Sequence, residues 1–447
     1  MKKLSFKQGM LPLDGLDFSK DRVLSGERIL EIFTPKTVVL PVLQHMGTPA
    51  SILVEKGEEV SAGQMIGKPT SPMCVPLHAS ISGTVFDISS IRLPSGIRCD
   101  AVFIRNDLKK RLDPSISRRA DPSSLTPRDL RRLLVMSGIV GMGGEGVPTA
   151  VKCTRAAFAG VNILYVNCLQ SEPYLVCDIH LIREQTDRLI HGAAALGGVC
   201  RVKKIVFCIE DKWVQEIDIL RIALARVRKE YPDRVLDMLV FKSRFPQGYD
   251  RLLMQAIYHV EIPMKYSIEE AVGAVVFNAA TCSAFWDVVE KNMPCISRII
   301  TISGDTMTEK NVLVPIGSLV SDVIERIPGT ASCQRIVLGG SLTGVALSNL
   351  DTPIIKTTQG ITLVRKSHTN SYPCIHCGAC VTACPVGLLP YLANRLIDLS
   401  DTKSLANEHI EQCISCGACS YVCPSGIDLS AHIARAAHRA RKAGKAL

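Results

Sequence analysis

The chain has 447 residues, 47% of them apolar and 21% charged, which excludes a disordered protein and leaves room for three or four domains. Lys and Arg outnumber Asp and Glu by 52 to 42, a surplus that favours acidic partners or an anionic membrane face. No aromatic-interleaved basic tract or Cys/His finger accompanies that charge, so nucleic acid is not an expected partner.

The start, MKKLSFKQGMLPLDG, lacks the apolar stretch of a secretory signal. No uninterrupted apolar run reaches about 18 residues, so no transmembrane helix is expected. Both readings put the chain in the cytoplasm, with any membrane association peripheral. Residues 36–95 read as short strands: TVVLPVLQH, SILVEKG, MIGKP and VPLHASISGTVFDISSI cluster β-branched residues between Gly, Pro and Ser. Residues 106–127 are polar, basic and proline-broken, a linker whose end carries a helix start, with Thr126 as N-cap and Pro127 as first helical residue.

From 128 to 298 strands and helices alternate. VNILYVN, KKIVFCIE and VGAVVFN have the continuous apolar character of buried strands, while DRLIHGAAALGG and VQEIDILRIALARVRKEY have helical spacing. Such alternation predicts an α/β domain with a largely parallel sheet. Over 299–366, SRIITISGD, NVLVPIGSLVSDVIERI and RIVLGGSLTG predict a small module of strands around one helix. In 367–447, VGLLPYLANRLIDL and SAHIARAAHRARKA predict helices, the last with a basic face of Arg435, Arg439, Arg441, Lys442 and Lys445.

The tail contains CIHCGACVTACP and CISCGACSYVCP, so Cys374, Cys377, Cys380 and Cys384 recur 39 residues later as Cys413, Cys416, Cys419 and Cys423. A tight Cys-x-x-Cys-x-x-Cys loop wraps three thiolates around one iron–sulfur cubane. In two-cluster ferredoxins the fourth cysteine of each run serves the other cluster. The pattern therefore predicts two [4Fe–4S] clusters, one on Cys374, Cys377, Cys380 and Cys423, the other on Cys413, Cys416, Cys419 and Cys384. Structural zinc prefers two separated Cys knuckles and fits this spacing poorly. The ten remaining cysteines are expected as small buried apolar residues.

SGIVGMGGEGVPTAVK sets Gly138, Gly141, Gly143, Gly144 and Gly146 between two helices. A loop so rich in glycine lets backbone amides approach phosphates, with Lys152 in reach as a counter-charge, although a tight packing loop has the same composition.

Several of these segments together resemble a known family. VEKGEEVSAGQMIG with ISGTVFDI is similar to the barrel-sandwich hybrid of lipoyl and biotinyl domains, without their modifiable Lys. ISGD…NVLVPIGSLVSDVIE is similar to the soluble-ligand-binding (SLBB-like) β-grasp module. Over essentially its full length the chain resembles the C-type component of the Rnf complex, the membrane-bound, ion-translocating ferredoxin:NAD oxidoreductase. VLPVLQHMGTPASILVEKGEEVSAGQMIG, GIVGMGGEGVPTAVK, VNCLQSEPYL, FPQGYDRLLMQAI and both cysteine motifs stand in the family's order. The central part also resembles the NADH- and FMN-binding subunit of respiratory complex I.

The resemblance implies a multidomain α/β protein. Residues 1–105 would hold an N-terminal β barrel-sandwich hybrid (about 36–95), 106–127 the basic linker, and 128–298 a Rossmann-like flavin/nucleotide domain. A β-grasp module over 299–366 and a C-terminal α-helical two-cluster ferredoxin domain over 367–447 would follow. It implies a peripheral electron-transfer subunit on the cytoplasmic face of the cell membrane. That subunit would relay single electrons from NADH and FMN to an iron–sulfur B-type subunit and the membrane core. Gly141, Gly143, Gly144, Gly146 and Lys152 match the family's nucleotide and flavin loop. Asn167 and Glu172 match a second segment, and Asn278 and Thr281 an Asn-x-x-Thr element near the flavin.

The chain departs from the pattern at four positions. Glu145 places a carboxylate in the loop, Val147 replaces an aromatic, and Leu169 and Gln170 replace two acids. These count against NADH, and less strongly against FMN. They support an alternative in which the nucleotide pocket is vestigial and the chain is a conduit and scaffold between ferredoxin or a cytochrome and the complex. A freestanding flavin–iron–sulfur reductase is a third reading, and the N-terminal sandwich fits it less well.

Overall fold

The computed structural model describes residues 4–5, 9, 33–170, 172–305, 310–327, 333–365 and 370–444. Most of the starting segment and Lys445 of the expected basic face lie outside them. Among the described residues no helix is long and apolar enough to cross a membrane.

The N-terminal strands are β1 (Thr37–Pro41), β2 (Ser51–Ile52), β3 (Glu59–Val60), β4 (Met65–Lys68), β5 (Leu77–His78), β6 (Gly83–Arg92) and β7 (Arg98–Asn106). They form two antiparallel sheets, in orders β1-β7-β6-β3 and β2-β4-β5. SILVEKG is a strand only over Ser51–Ile52, because Gly57 turns the chain before Glu59. Pairing runs past residue 95: β7 lies between β1 and β6 and carries it to Asn106. The basic linker that follows is pinned to both sides, with Asp113 N donating to Ala62 O at 2.9 Å and Arg119 N to Glu290 O at 2.7 Å.

In the central domain Thr126 caps α1 (Pro127–Met136) in a reciprocal capping box with Asp129, an arrangement worth about 1 kcal/mol. After it come α2 (Thr149–Phe158), β8 (Ile163–Asn167), α3 (Cys177–Cys200), β9 (Lys204–Glu210), α4 (Val214–Val227) and β10 (Val235–Phe241). The domain ends with α5 (Asp250–Tyr258), α6 (Ile268–Val272), β11 (Ala274–Asn278) and α7 (Ala279–Lys291). The sheet is parallel throughout, in order β10-β9-β8-β11. Strand β10 lacks the continuous apolar signal because it is an edge strand, with Val235 exposed and Asp237 in its run. The chain moves from β8 outward to β10 and then returns to the other side of β8. That reversal opens a crevice beyond the carboxyl ends of β8 and β11, the usual place for ligands in such sheets.

One buried apolar cluster runs from Val38 and Leu40 in the sandwich through Leu134, Leu189 and Phe207 to Phe285. The sandwich and central domain therefore share a core across the linker. Eight of the ten cysteines outside the repeat are buried, with Cys99 and Cys333 partly covered.

The third module comprises β12 (Ser297–Gly304), β13 (Lys310–Pro315), α8 (Val320–Ile324), β14 (Arg335–Leu338), β15 (Val345–Ala346) and β16 (Gly360–Val364). Its five-stranded sheet, in order β13-β12-β16-β14-β15, packs Ile300, Val314 and Leu363 against Val320 and Val323 of α8. The tail is helical: α9 (Ala379–Thr382), α10 (Pro390–Asp398), α11 (Thr402–Asn407), α12 (Ala418–Tyr421) and α13 (Leu429–Gly444).

Candidate functional site

The crevice at the ends of β8 and β11 is a cavity of about 410 Å³, within the range of small-ligand sites. Strand register puts Asn167 beside Asn278, and both line it. Asn167 is locked by donating to Gly248 O at 2.8 Å and Asp250 Oδ1 at 3.2 Å. Asn278 caps α7, accepting from Ala280 N at 2.9 Å, and donates to Asp178 Oδ2 at 2.5 Å.

The glycine loop forms the opposite wall. It closes on itself through Gly141 N to Val147 O at 2.8 Å and Gly146 N to Gly141 O at 3.1 Å. Buried Thr281 anchors it by accepting from Met142 N at 3.0 Å. Gly141, Gly143 and Gly144 face the cavity. Gly146 does not: it lies behind the wall, its carbonyl accepting from Met46 N of the sandwich at 2.9 Å. The sandwich thus buttresses the loop.

Lys152 is buried on the cavity wall, but its charge is already matched. Its Nζ is 3.2 Å from Asp250 and 3.9 Å from Glu145. Burial opposes that charge, yet Asp250, Glu145 and Glu269 hold the ammonium above its ordinary range. Asp250 pushes the Glu145 carboxyl up, against the pull of Lys152. Glu172 is 4% exposed, and burial raises its carboxyl to about 7 against hydrogen bonds from Thr343 and Leu342. The carboxyl groups of Glu145, Glu172 and Asp250 therefore share a wall with Lys152. Val147 and Leu169 add apolar surface, while Gln170 turns aside to accept from Lys212 at 2.6 Å.

Of the other wall residues, only Cys416 was a candidate in the sequence, and there as a cluster ligand rather than as part of this crevice. Asp250 and Tyr249 follow β10, and Thr343 and Gln359 come from the third module. Ile414, Ser415 and Cys416 belong to the second cysteine motif. A partner for Lys152 nearly 100 residues away leaves no local pattern to read.

The two cysteine loops share one geometry. His376 N and Ser415 N each reach back to the first thiol of their motif, Cys374 and Cys413, at 3.4 Å. His376 and Ser415 both hold positive φ, of 56° and 57°, a strained backbone typical of functional loops. Cys374, Cys377, Cys380 and Cys423 line one small cavity. Cys384 groups instead with the second motif. Burial, together with Cys419, Cys384 and Cys413, pushes Cys416 up to about 12. Cys419 is also pushed up to about 12, by burial and by Cys413 and Cys384. Bound iron would instead draw Cys416 and Cys419 to the thiolate form that ligates a cluster. No three His, Cys, Asp or Glu side chains among the described residues converge on a single ion.

Models of known families match three stretches: an RnfC barrel sandwich hybrid domain over 4–109, a Nuo51 FMN-binding domain over 135–287, and a 4Fe-4S dicluster domain over 373–427. The C-type component of the proton-translocating ferredoxin:NAD(+) oxidoreductase complex of Clostridium ljungdahlii is 32% identical, across 88% of this chain and 84% of that one. The chain belongs to the RnfC family.

Other members of the RnfC family include the C-type component of the ion-translocating oxidoreductase complex of Rhodobacter capsulatus, 32% identical over 83% of this chain and 72% of that one. The corresponding component of the Na(+)-translocating ferredoxin:NAD(+) oxidoreductase complex of Acetobacterium woodii is 31% identical over 80% of each. In fold, the chain is similar to a solved chain of an NAD+-reducing [NiFe]-hydrogenase, with a TM-score of 0.53 at 16% identity, covering 70% of this chain and 61% of that one. This RnfC-family chain is an electron-transfer subunit with an FMN-binding domain and a 4Fe-4S dicluster domain.

Proposed function

We propose that the chain is the peripheral electron-transfer subunit of a membrane-bound, ion-translocating Rnf-type complex, with FMN held in the β8–β11 crevice. The observation carrying this reading is that Cys416 of the second cysteine motif forms part of that crevice's wall. FMN, when bound, converts between paired and single electrons. Gly141, Gly143 and Gly144 would meet its phosphate with backbone amides, and Asn167, Asn278 and Thr281 would hold the wall around it. Lys152 would balance charge, and Gly146 would keep the loop seated. The second motif, with Cys384, is then the receiving end. The first motif with Cys423 is the delivering end, toward an iron–sulfur B-type subunit and the membrane core.

The finer architecture goes with this reading: a Rossmann-like domain over 128–298, an SLBB-like β-grasp module over 299–366 and a helical ferredoxin domain over 367–447. The expected location is the cytoplasmic face of the membrane.

One observation favours the alternative of a vestigial nucleotide pocket fed by ferredoxin or a cytochrome. Lys152 is already matched by Asp250 and Glu145, so its charge is not free for the phosphates of NADH. Anaerobic purification, flavin extraction and titration with NADH separate the two. Bound flavin with bleaching of flavin and cluster absorbance supports the NADH-linked reading. Flavin-free protein that NADH leaves unbleached sinks it.

A further inference from the structure

The central domain, the third module and the second cysteine loop meet around one turn of the third module. Between β14 and β15 the chain folds over Gly340–Gly344, closed by Gly344 N donating to Gly340 O at 3.0 Å. From this turn Leu342 N donates to Glu172 Oε2 at 3.2 Å, and the Thr343 hydroxyl donates to Glu172 Oε1. Gly340 is needed for the approach, because a Cβ there would overlap the Glu172 carboxyl. The same turn faces the other way onto the cluster loop. A Cβ on Gly417, the residue after Cys416, would overlap Leu342 O. Leu342 also packs with Cys416, Ala418 and Phe245. Thr343 and Glu172 both line the flavin crevice.

We infer that the Gly340–Gly344 turn is a positioning element that holds Glu172 at the crevice wall and seats the second cysteine loop against the same crevice. The third module is then a clamp on the junction between flavin pocket and receiving cluster. The turn touches both sides through short spans, one hydrogen-bonded to a buried carboxyl and one in close backbone contact. A buried carboxyl that lost these donors would be left without its partners and would reorient. The inference rests on reading the crevice as the FMN site, and its test separates the two.

The experiment uses the full chain with both clusters in place, comparing Thr343→Val, Gly340→Ala and Thr343→Ser. FMN dissociation is read by flavin fluorescence, and the reduced clusters by electron paramagnetic resonance and midpoint potential. Thr343→Val and Gly340→Ala are expected to weaken FMN about tenfold. They should also shift the signal of the cluster on the second motif while leaving that of the first unchanged. Thr343→Ser restores both. Wild-type flavin affinity and wild-type second-cluster signals in Thr343→Val overturn the inference, as does an equal disturbance of both clusters, which marks a general loosening. If the unsubstituted chain takes up no FMN, yet Thr343→Val still shifts the second cluster alone, the clamp stands and the flavin reading falls.

Discussion

The two cysteine loops are near copies in spacing and backbone, yet they occupy opposite surroundings. The first presents Cys374 and Cys377 to solvent beside Tyr372 and Ile375, which are 61% and 67% exposed. The second lays Ile414 to Cys416 along the β8–β11 crevice and buries Ala418 against Phe245 and Ala383. A duplicated motif specifies a cage, whereas its neighbours specify a direction. On the proposed reading the crevice side would receive electrons from FMN, and the open side would hand them on to another protein.

The largest effects come from removing a cage. Cys423→Ala should remove the cluster assigned here to Cys374, Cys377, Cys380 and Cys423, as Cys374→Ala should, with each variant losing roughly half of the iron. Loss of the other cluster's resonance signal from Cys423→Ala would contradict the crossed assignment. A Cys413→Ala chain then tests order. A reductant acting through the crevice should no longer reduce the first-motif cluster, while dithionite still does. First-motif reduction at an unchanged rate would sink the order.

A smaller effect is expected at the charge balance of the crevice. Glu145→Ala takes one carboxylate from Lys152, and removing a like charge from a partly desolvated wall is worth about 1.4 kcal/mol, or tenfold. Dinucleotide binding by Glu145→Ala should therefore tighten about tenfold, measured by calorimetric titration with NADH. Unchanged or weaker affinity would show that Glu145 does not disfavour a dinucleotide in the crevice.

Much of this arrangement was legible in the sequence where a local rule governs. The Thr126–Pro127 helix start, the apolar runs of β8 and β9, and the cysteine repeat each obey constraints spanning a dozen residues or fewer. The edge strand β10 escaped because Asp237 interrupts its run. The crevice was legible only in part. Its glycine loop carries a compositional signal and its asparagines were reached through the family resemblance, but Asp250 beside Lys152 and Thr343 over Glu172 are brought in by the tertiary fold. Such pairings are set by how modules dock, and docking leaves no periodicity in the chain.

Glu172 gives an effect specific to the crevice side and read in stability rather than in binding. Its carboxyl titrates near 7 in the folded chain and near the ordinary carboxylate value, about 4.3, when unfolded. Between those values the native state keeps a proton that the unfolded chain releases. The unfolded state then binds fewer protons, and stability falls as pH rises through this window. Below it both states are protonated and the penalty is absent. Above it the penalty is constant, on the order of a few kcal/mol for a group this buried. Glu172→Gln has no proton to lose, so its thermal midpoint should fall less than that of the unsubstituted chain between about pH 5 and pH 7.5, by a few degrees. Parallel curves for the two proteins would mean that Glu172 is ionised at neutral pH. The Thr343 hydroxyl and Leu342 amide would then be neutralising a charge at the crevice wall, and the second cysteine loop would face a carboxylate across the turn where the first faces solvent.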